Sequence, residues 1–199
     1  TEYNNLYSND TVIPAGRLRE WNKGSDRADI IIVSKTNLNL AQEEKNGIAA
    51  ELNPNSNQSV YFSSIKYGET TPFNTAAESV KKSTLYDGHI LLVTGIAKPS
   101  PLLNYLKQSH QSVNHLQFPD HHNYIQSDID RIIKQFDELE GNNKFIISTE
   151  KDIMRLSLPQ LSNQIQNIPI FFIPIEIYFD ESDKLKFDQQ IIEYVTKNK

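Results

Sequence analysis

Short continuous apolar runs alternate with segments whose apolar residues fall at helical spacing. His89-Ile90-Leu91-Leu92-Val93-Thr94, residues 113–118 and Lys144-Phe145-Ile146-Ile147-Ser148 are such runs, and each predicts a strand buried on both faces. Between them, Lys98-Pro99-Ser100-Pro101 opens a helix that carries Leu102, Leu103 and Leu106. A second helix starts at Ser127, with Asp130 three residues on, and carries Ile129, Ile132, Ile133, Phe136 and Leu139 before Gly141. Thr149-Glu150-Lys151-Asp152 starts a third, followed by Met154, Leu156 and Leu158. Residues 168–179 predict a fourth strand, partly on an edge because Pro169 and Pro174 interrupt it. A last helix, capped by Asp188, is expected to bury Ile191, Ile192 and Val195. This alternation predicts an α/β fold: a mostly parallel sheet with helices on both faces.

The earlier part of the chain is weaker in rhythm. The β-branched run within residues 27–35 predicts a strand buried on both faces, and residues 39–52 a helix burying Leu40, Ile48 and Leu52 before Pro54. Asn, Ser and Pro crowd residues 53–59, the best linker in the chain. Val60 to Gly68 reads as a strand with Tyr61, Ser63, Ile65 and Tyr67 on one face; residues 69–87 are polar and weakly periodic. The expected organisation is therefore a first segment at 1–57, a hinge at 58–88 and an α/β domain at 89–199.

Composition narrows the classes. The chain has 199 residues, 38% hydrophobic and 23% charged, which suits one good core or two small ones. A formal net charge of −5 argues against a nucleic-acid partner. There is no cysteine, which excludes disulfides, thiolate metal sites and cysteine nucleophiles and fits a reducing compartment. No apolar run approaches the roughly 20 residues needed to span a bilayer, and residues 1–10 lack the apolar core of a signal peptide.

Candidate chemistry gathers where strands end. Gln117-Phe118-Pro119-Asp120-His121-His122 puts a carboxylate beside two imidazoles just after a strand, although Asp-His-His alone is more often a polar turn. In a parallel sheet, Thr149 to Asp152 would share that carboxyl edge. Gly95, between strand and helix, either brings backbone N–H groups to an anion or simply makes a tight turn. Arg17 and Arg19, after Pro14 and Gly16, form either a fork for phosphate oxygens or a solvated pair bridged to Glu20.

Four stretches, in order, resemble one family. They are Pro14-Ala15-Gly16-Arg17-Leu18-Arg19-Glu20, Thr94-Gly95-Ile96-Ala97-Lys98-Pro99, Phe118-Pro119-Asp120-His121-His122 and Thr149-Glu150-Lys151-Asp152. Their order and spacing resemble the tetraacyldisaccharide 4'-kinases of lipid A biosynthesis. The resemblance implies a P-loop kinase that moves the γ-phosphoryl of ATP, with Mg2+, to a lipid disaccharide 1-phosphate at the cytoplasmic face of the bacterial inner membrane. It implies a truncated piece of a P-loop domain joined through a β-hairpin hinge to the C-terminal α/β domain. It also implies that His121 pairs with a catalytic aspartate from elsewhere and that Asp120 orients the ring. Arg17, Arg19 and Glu20 would line the phosphates, with Glu20 the single metal-ligand candidate. Glu150 and Lys151 would face the cleft. No Gly-x-x-x-x-Gly-Lys-Ser/Thr occurs in these residues, so the chain is expected to be a soluble C-terminal portion, inactive alone and holding no tight cofactor. Its membrane-contacting region would lie upstream. Two alternatives stay open: a DHH-like metal phosphohydrolase and a non-catalytic α/β binding module.

Overall fold

A computed structural model describes residues 1–85, 87–110 and 112–197, the side chains at 82, 83, 160 and 162 excepted. In chain order the elements begin β1 (Ile30–Thr36), α1 (Gln42–Leu52), β2 (Ser59–Tyr67), β3 (Thr71–Pro72), α2 (Thr75–Glu78), α3 (Lys82–Leu85), β4 (His89–Thr94) and α4 (Ser100–Ser109). They continue with β5 (Ser112–Gln117), α5 (Gln126–Asp137), β6 (Lys144–Thr149), α6 (Glu150–Leu156), α7 (Pro159–Ile165), β7 (Ile170–Ile173), β8 (Ile175–Phe179) and α8 (Glu181–Lys197). The chain divides into two compact units, one of Thr1–Lys66 with Glu176–Lys199 and one of Tyr67–Ile175.

The second unit is a five-stranded sheet in the order β3-β7-β6-β4-β5. β5, β4, β6 and β7 run parallel, and only β3 is antiparallel, to β7. The continuous apolar runs fit because both faces are covered. Leu91, Val93, Leu116 and Ile146 pack with Ile129, Ile132 and Phe136 of α5 and with Ile153 and Leu156 of α6. Ile90, Leu92, Phe145, Ile147 and Phe171 face the other way, onto Leu102 and Leu106 of α4. Each such side chain contributes about 1.5–3 kcal/mol by leaving water. β4 leads to β5 on one side and β6 leads to β7 on the other, so the strand order reverses between β4 and β6. That is the point at which an open α/β sheet forms its crevice, beyond the carboxyl ends of the strands.

The first unit is a three-stranded sheet in the order β1-β2-β8. β1 pairs parallel with β2, and its burial alternates: Ile31 and Val33 are buried while Ile30 and Ile32 are only partly so. A strand covered on both faces was expected; one face is only half covered, while the outer edge pairs with the first residues of the chain, Tyr3 N–H donating to Ser34 C=O and Ser34 N–H to Thr1 C=O, both at 2.8 Å. Its core is Leu6, Ile31, Val33, Ile48, Leu52 and Phe62. Polar contacts reach α8: Lys45 pairs with Asp180 and, at 3.3 Å, with Asp183, and Tyr61 hydroxyl donates to Gln190 at 2.7 Å.

Several boundaries differ from the expected ones. The stretch 168–179 is two strands in two sheets, broken at Pro174, which has no N–H for a ladder. The segment from Glu176 onward therefore belongs with the first unit and not with the α/β unit. The segment expected to be a hinge, 58–88, is divided between the two units, and it holds β2, β3 and two short helices. Helix α8 starts at Glu181, seven residues before Asp188, with Asp180 Oδ1 accepting from Asp183 N–H at 2.8 Å. It buries none of its residues; Ile191, Ile192 and Val195 are exposed. Met154 and Leu158 are exposed too. Helix α5 begins at Gln126, because Asp128 and not Ser127 closes the cap: its Oδ2 accepts from Ile125 N–H at 2.9 Å.

Candidate functional site

The carboxyl ends of β4, β5 and β6 gather one cluster. Thr94 ends β4, Gln117 ends β5 and Thr149 ends β6. Asp120 and His121 sit on the loop after β5, and Glu150 and Lys151 open α6. The sheet brings Asp120, His121 and Lys151 together. Asp120 Oδ2 lies 3.7 Å from His121 Nε2, and Lys151 Nζ lies 3.4 Å from the same nitrogen. The imidazole is 66% exposed, so it is open to a partner. Glu150 is exposed in the first turn of α6, with a partly buried Thr149 before it.

The loop is held in a costly shape. His121 adopts φ 58°, left-handed for a non-glycine residue, a conformation costing on the order of 1–2 kcal/mol. Two hydrogen bonds hold it: His121 N–H donates to Gly95 C=O at 3.1 Å and to Asp120 Oδ1 at 3.0 Å. Gly95 allows the approach, since a Cβ there would sit 3.0 Å from Asp152 Oδ1 and 3.3 Å from both His122 Cβ and Pro119 C=O. His122 faces its own unit: it stacks on Phe118 and its Nε2 lies 2.8 Å from Asp128 Oδ2.

Two residues given no role from sequence lie at the centre of the cluster. Asp152 is fully buried. Its Oδ2 accepts from Gly95 N–H at 2.9 Å and from Thr149 Oγ1 at 2.7 Å. The anion that meets the Gly95 N–H is thus internal, the turn reading with a carboxylate inside it. Asp152 Oδ1 accepts from Arg155 at 3.4 Å, and another Arg155 nitrogen lies 3.2 Å from His121 Nδ1. The hydroxyl of buried Tyr124 has no hydrogen-bond partner of good geometry. Burial first, and the nearby Asp152 carboxylate second, push that phenol's pKa far up, so it stays protonated. The sequence held one signal for this: Thr149-x-x-Asp152 has capping spacing, and Asp152 with Arg155 is an i,i+3 pair.

The first unit places its candidates differently from the expected fork. Arg17 Nε pairs with Asp10 at 3.1 Å and another of its nitrogens donates to Asn5 Oδ1 at 2.7 Å. Glu20 takes Arg27, not Arg17 or Arg19, at 2.8 Å on both oxygens. Arg19 is exposed. Among the described residues, no three His, Asp or Glu side chains gather in a way that would hold a metal ion.

A doubly wound α/β unit that offers an imidazole, a carboxylate and two cations from its carboxyl edge is built like the site-bearing domain of an α/β enzyme. The chain belongs to the tetraacyldisaccharide-1-P 4'-kinase (LpxK) family, whose profile matches residues 1–195. It is 41% identical to the tetraacyldisaccharide 4'-kinase of Bacteroides thetaiotaomicron over all of this chain and 54% of that one. It is 35% identical to that of Phocaeicola vulgatus over 99% of this chain and 54% of that one. The chain thus spans about half the length of the curated relatives it matches. A crystal structure of LpxK from Aquifex aeolicus in complex with ATP shares the α/β fold, with TM-score 0.54, 17% identity, 94% of this chain covered and 49% of that one.

Proposed function

We propose that these residues are part of a kinase that transfers the γ-phosphoryl group of ATP to the 4'-hydroxyl of a tetraacyldisaccharide 1-phosphate in lipid A synthesis. The observation that carries this reading is the match over residues 1–195 to kinases of that single specificity. In this reading His121 meets an acid contributed by the rest of the enzyme and helps it take the acceptor proton, while Asp120 holds the loop that presents the ring. Phosphoryl transfer asks for positioning and charge neutralisation more than for covalent chemistry. Lys151 and Arg155 supply positive charge beside His121, and Glu150 lines the same edge. Arg17 and Arg19 face phosphate oxygens in the whole enzyme; Arg17 must first exchange Asp10 for them.

Magnesium does not fit the residues described. Glu20, its one candidate ligand here, holds Arg27 with both oxygens. The metal's ligands would come from residues beyond these. The two cations against His121 also oppose the metal-phosphohydrolase reading, because a divalent ion there would face like charge. We further propose that the enzyme works at the cytoplasmic face of the inner membrane, through peripheral contact; none of the described helices is long and apolar enough to cross a bilayer.

The test is transfer of labelled γ-phosphate from ATP to a tetraacyldisaccharide 1-phosphate. The gene product read from its initiator is expected to label the acceptor, and the 199-residue chain alone is not. Labelling by the chain alone would contradict the assignment of the phosphate cradle to other residues. A full-length protein that never labels this acceptor would end the kinase reading.

A further inference from the structure

We propose that Arg155, anchored by buried Asp152, fixes His121 in the neutral tautomer whose proton sits on Nε2. The exposed ring then offers a donor, not a lone pair, to the group it meets. Arg155 and Asp152 are thereby positioning residues for His121. The consequence for turnover rests on the kinase reading above; the tautomer itself is a property of this chain.

A guanidinium only donates, so the nitrogen it addresses must carry a lone pair. Arg155 addresses Nδ1 at 3.2 Å. A neutral imidazole has one N–H and one lone pair, so its proton must then sit on Nε2. The Asp120 carboxylate, 3.7 Å from Nε2 and too far for a hydrogen bond, favours a proton there by its charge. Lys151 makes the opposite demand, since its ammonium lies 3.4 Å from Nε2 and also only donates. No single protonation state of the ring satisfies both cations, so one contact must give way.

Lys151 is the one that yields. It is exposed on a flexible stem, and Asp120 is at hand to take its charge. Arg155 is held instead. Its side chain is 22% exposed, and it is tied to Asp152, which is itself fixed by the Gly95 N–H and the Thr149 hydroxyl. The same carboxylate reaches the other side of His121 as well, because Gly95, whose N–H it accepts, gives its C=O to the His121 N–H. Asp152 thus governs both the strained backbone of His121 and the face of its ring. With Nε2–H pointing outward, the matching partner is a carboxylate or phosphate oxygen. A hydroxyl giving up its proton finds no base on this ring.

The direct test is a two-bond proton–nitrogen correlation of the histidine rings in the 15N-labelled chain, above the pH at which imidazoles titrate. The His121 signals are assigned by their loss in His121→Gln. The expected pattern has an unprotonated Nδ1 and a protonated Nε2, drifting toward a tautomer mixture in Arg155→Met and unmoved in Lys151→Met. A wild-type Nδ1–H pattern overturns the proposal, and so does a pattern moved by Lys151→Met but not by Arg155→Met. The wild-type spectrum decides the first point even if a variant fails to fold. In the full-length enzyme, Arg155→Met should lower kcat about tenfold with KM little changed, the kinetic equivalent of one net hydrogen bond, and Arg155→Lys should recover part of it. A lost tautomer with unchanged kcat overturns the link to turnover, whereas a wild-type enzyme without transferase activity indicts the kinase reading and leaves the spectrum as evidence.

Discussion

The two units use similar residues to different ends. In the second, a sheet of mostly parallel strands is covered on both faces, and β4 from Ile90 to Thr94 is entirely buried. In the first, three strands share a small core, and the longest helix of the described residues buries nothing. Its ties to the rest of that unit are one aromatic residue, Phe187, stacked on Phe179 and edge-on to Tyr61, and a polar set: Lys45, itself buried, meets Asp180 and Asp183, and Asp183 also accepts from Phe62 N–H at 3.2 Å. A closed core can hold a residue such as His121 in a strained conformation. A thin sheet whose last helix leaves most of its apolar side chains in water has a smaller core to hold with, although Lys35 and Asn53 are left-handed there too. The candidate with the sharpest geometry lies on the firm unit, whereas Arg17, Arg19 and Glu20 lie on the soft one.

The contrast should break most clearly in large-to-small substitutions. Phe145→Ala, at a fully buried position of β6, should cost about 3–5 kcal/mol, while Ile192→Ser, on exposed α8, should stay within about 0.5 kcal/mol. Denaturant melts of the two variants check this, and equal losses would erase the difference between the units. Next in size, Lys45→Met should cost about 2 kcal/mol, because it strips hydrogen bonds to charged groups and leaves Asp183 unpaired. Hydrogen exchange resolved by residue should show the loss in β2 and α8, with β4 and β6 still protected.

Acid should narrow the difference between the two units. Burial lowers the pKa of His110, against a weaker opposing hydrogen bond from Leu106 C=O, and burial with Lys107 lowers that of His115. Both rings take up protons more readily when unfolded, so the second unit loses stability as pH falls through the ordinary histidine value of about 6.5. Burial tends to raise the pKa of Asp180, but Lys45 and backbone N–H groups outweigh it and the net shift is downward. That contribution is complete above the ordinary carboxylate range and fades only below it. Between pH 7 and 5, exchange protection should therefore fall in β4 and β5 before it falls in β2, and His110→Gln with His115→Gln should flatten the trend. The smallest effect belongs to Tyr124→Phe. Removing a buried hydroxyl that makes no well-formed hydrogen bond should leave stability unchanged or raise it by about 1 kcal/mol, measured by thermal melting.

The parts of this molecule that a one-dimensional pattern can carry were legible. Ile90 to Val93 and Phe145 to Ile147 are continuous runs because helices cover both faces of their sheet, and Ile129, Ile132 and Phe136 mark the buried stripe of α5. The Asp120–His121 loop was legible as a polar loop directly after a strand. What escaped were features fixed by distant partners. The run from Ile168 to Phe179 gives no local sign that the chain changes sheets at Pro174. The apolar residues of α8 read as a buried stripe, yet Ile191, Ile192 and Val195 are exposed and only Phe187 packs, on Tyr61 and Phe179. Lys45 meets Asp180 across 135 positions, and Arg155 reaches His121 across 34. Ser127 has the chemistry of a cap, but Asp128 takes the Ile125 N–H and His122 together.

The central claim is that an exposed imidazole on the firm unit serves phosphoryl transfer. The direct measurement is steady-state kinetics of His121→Ala in the full-length enzyme. The account predicts a fall in kcat of about 10²–10⁴ with KM for the lipid acceptor nearly unchanged, as for loss of the group that orients the proton-accepting acid. An unchanged kcat, or a loss confined to KM, would contradict it.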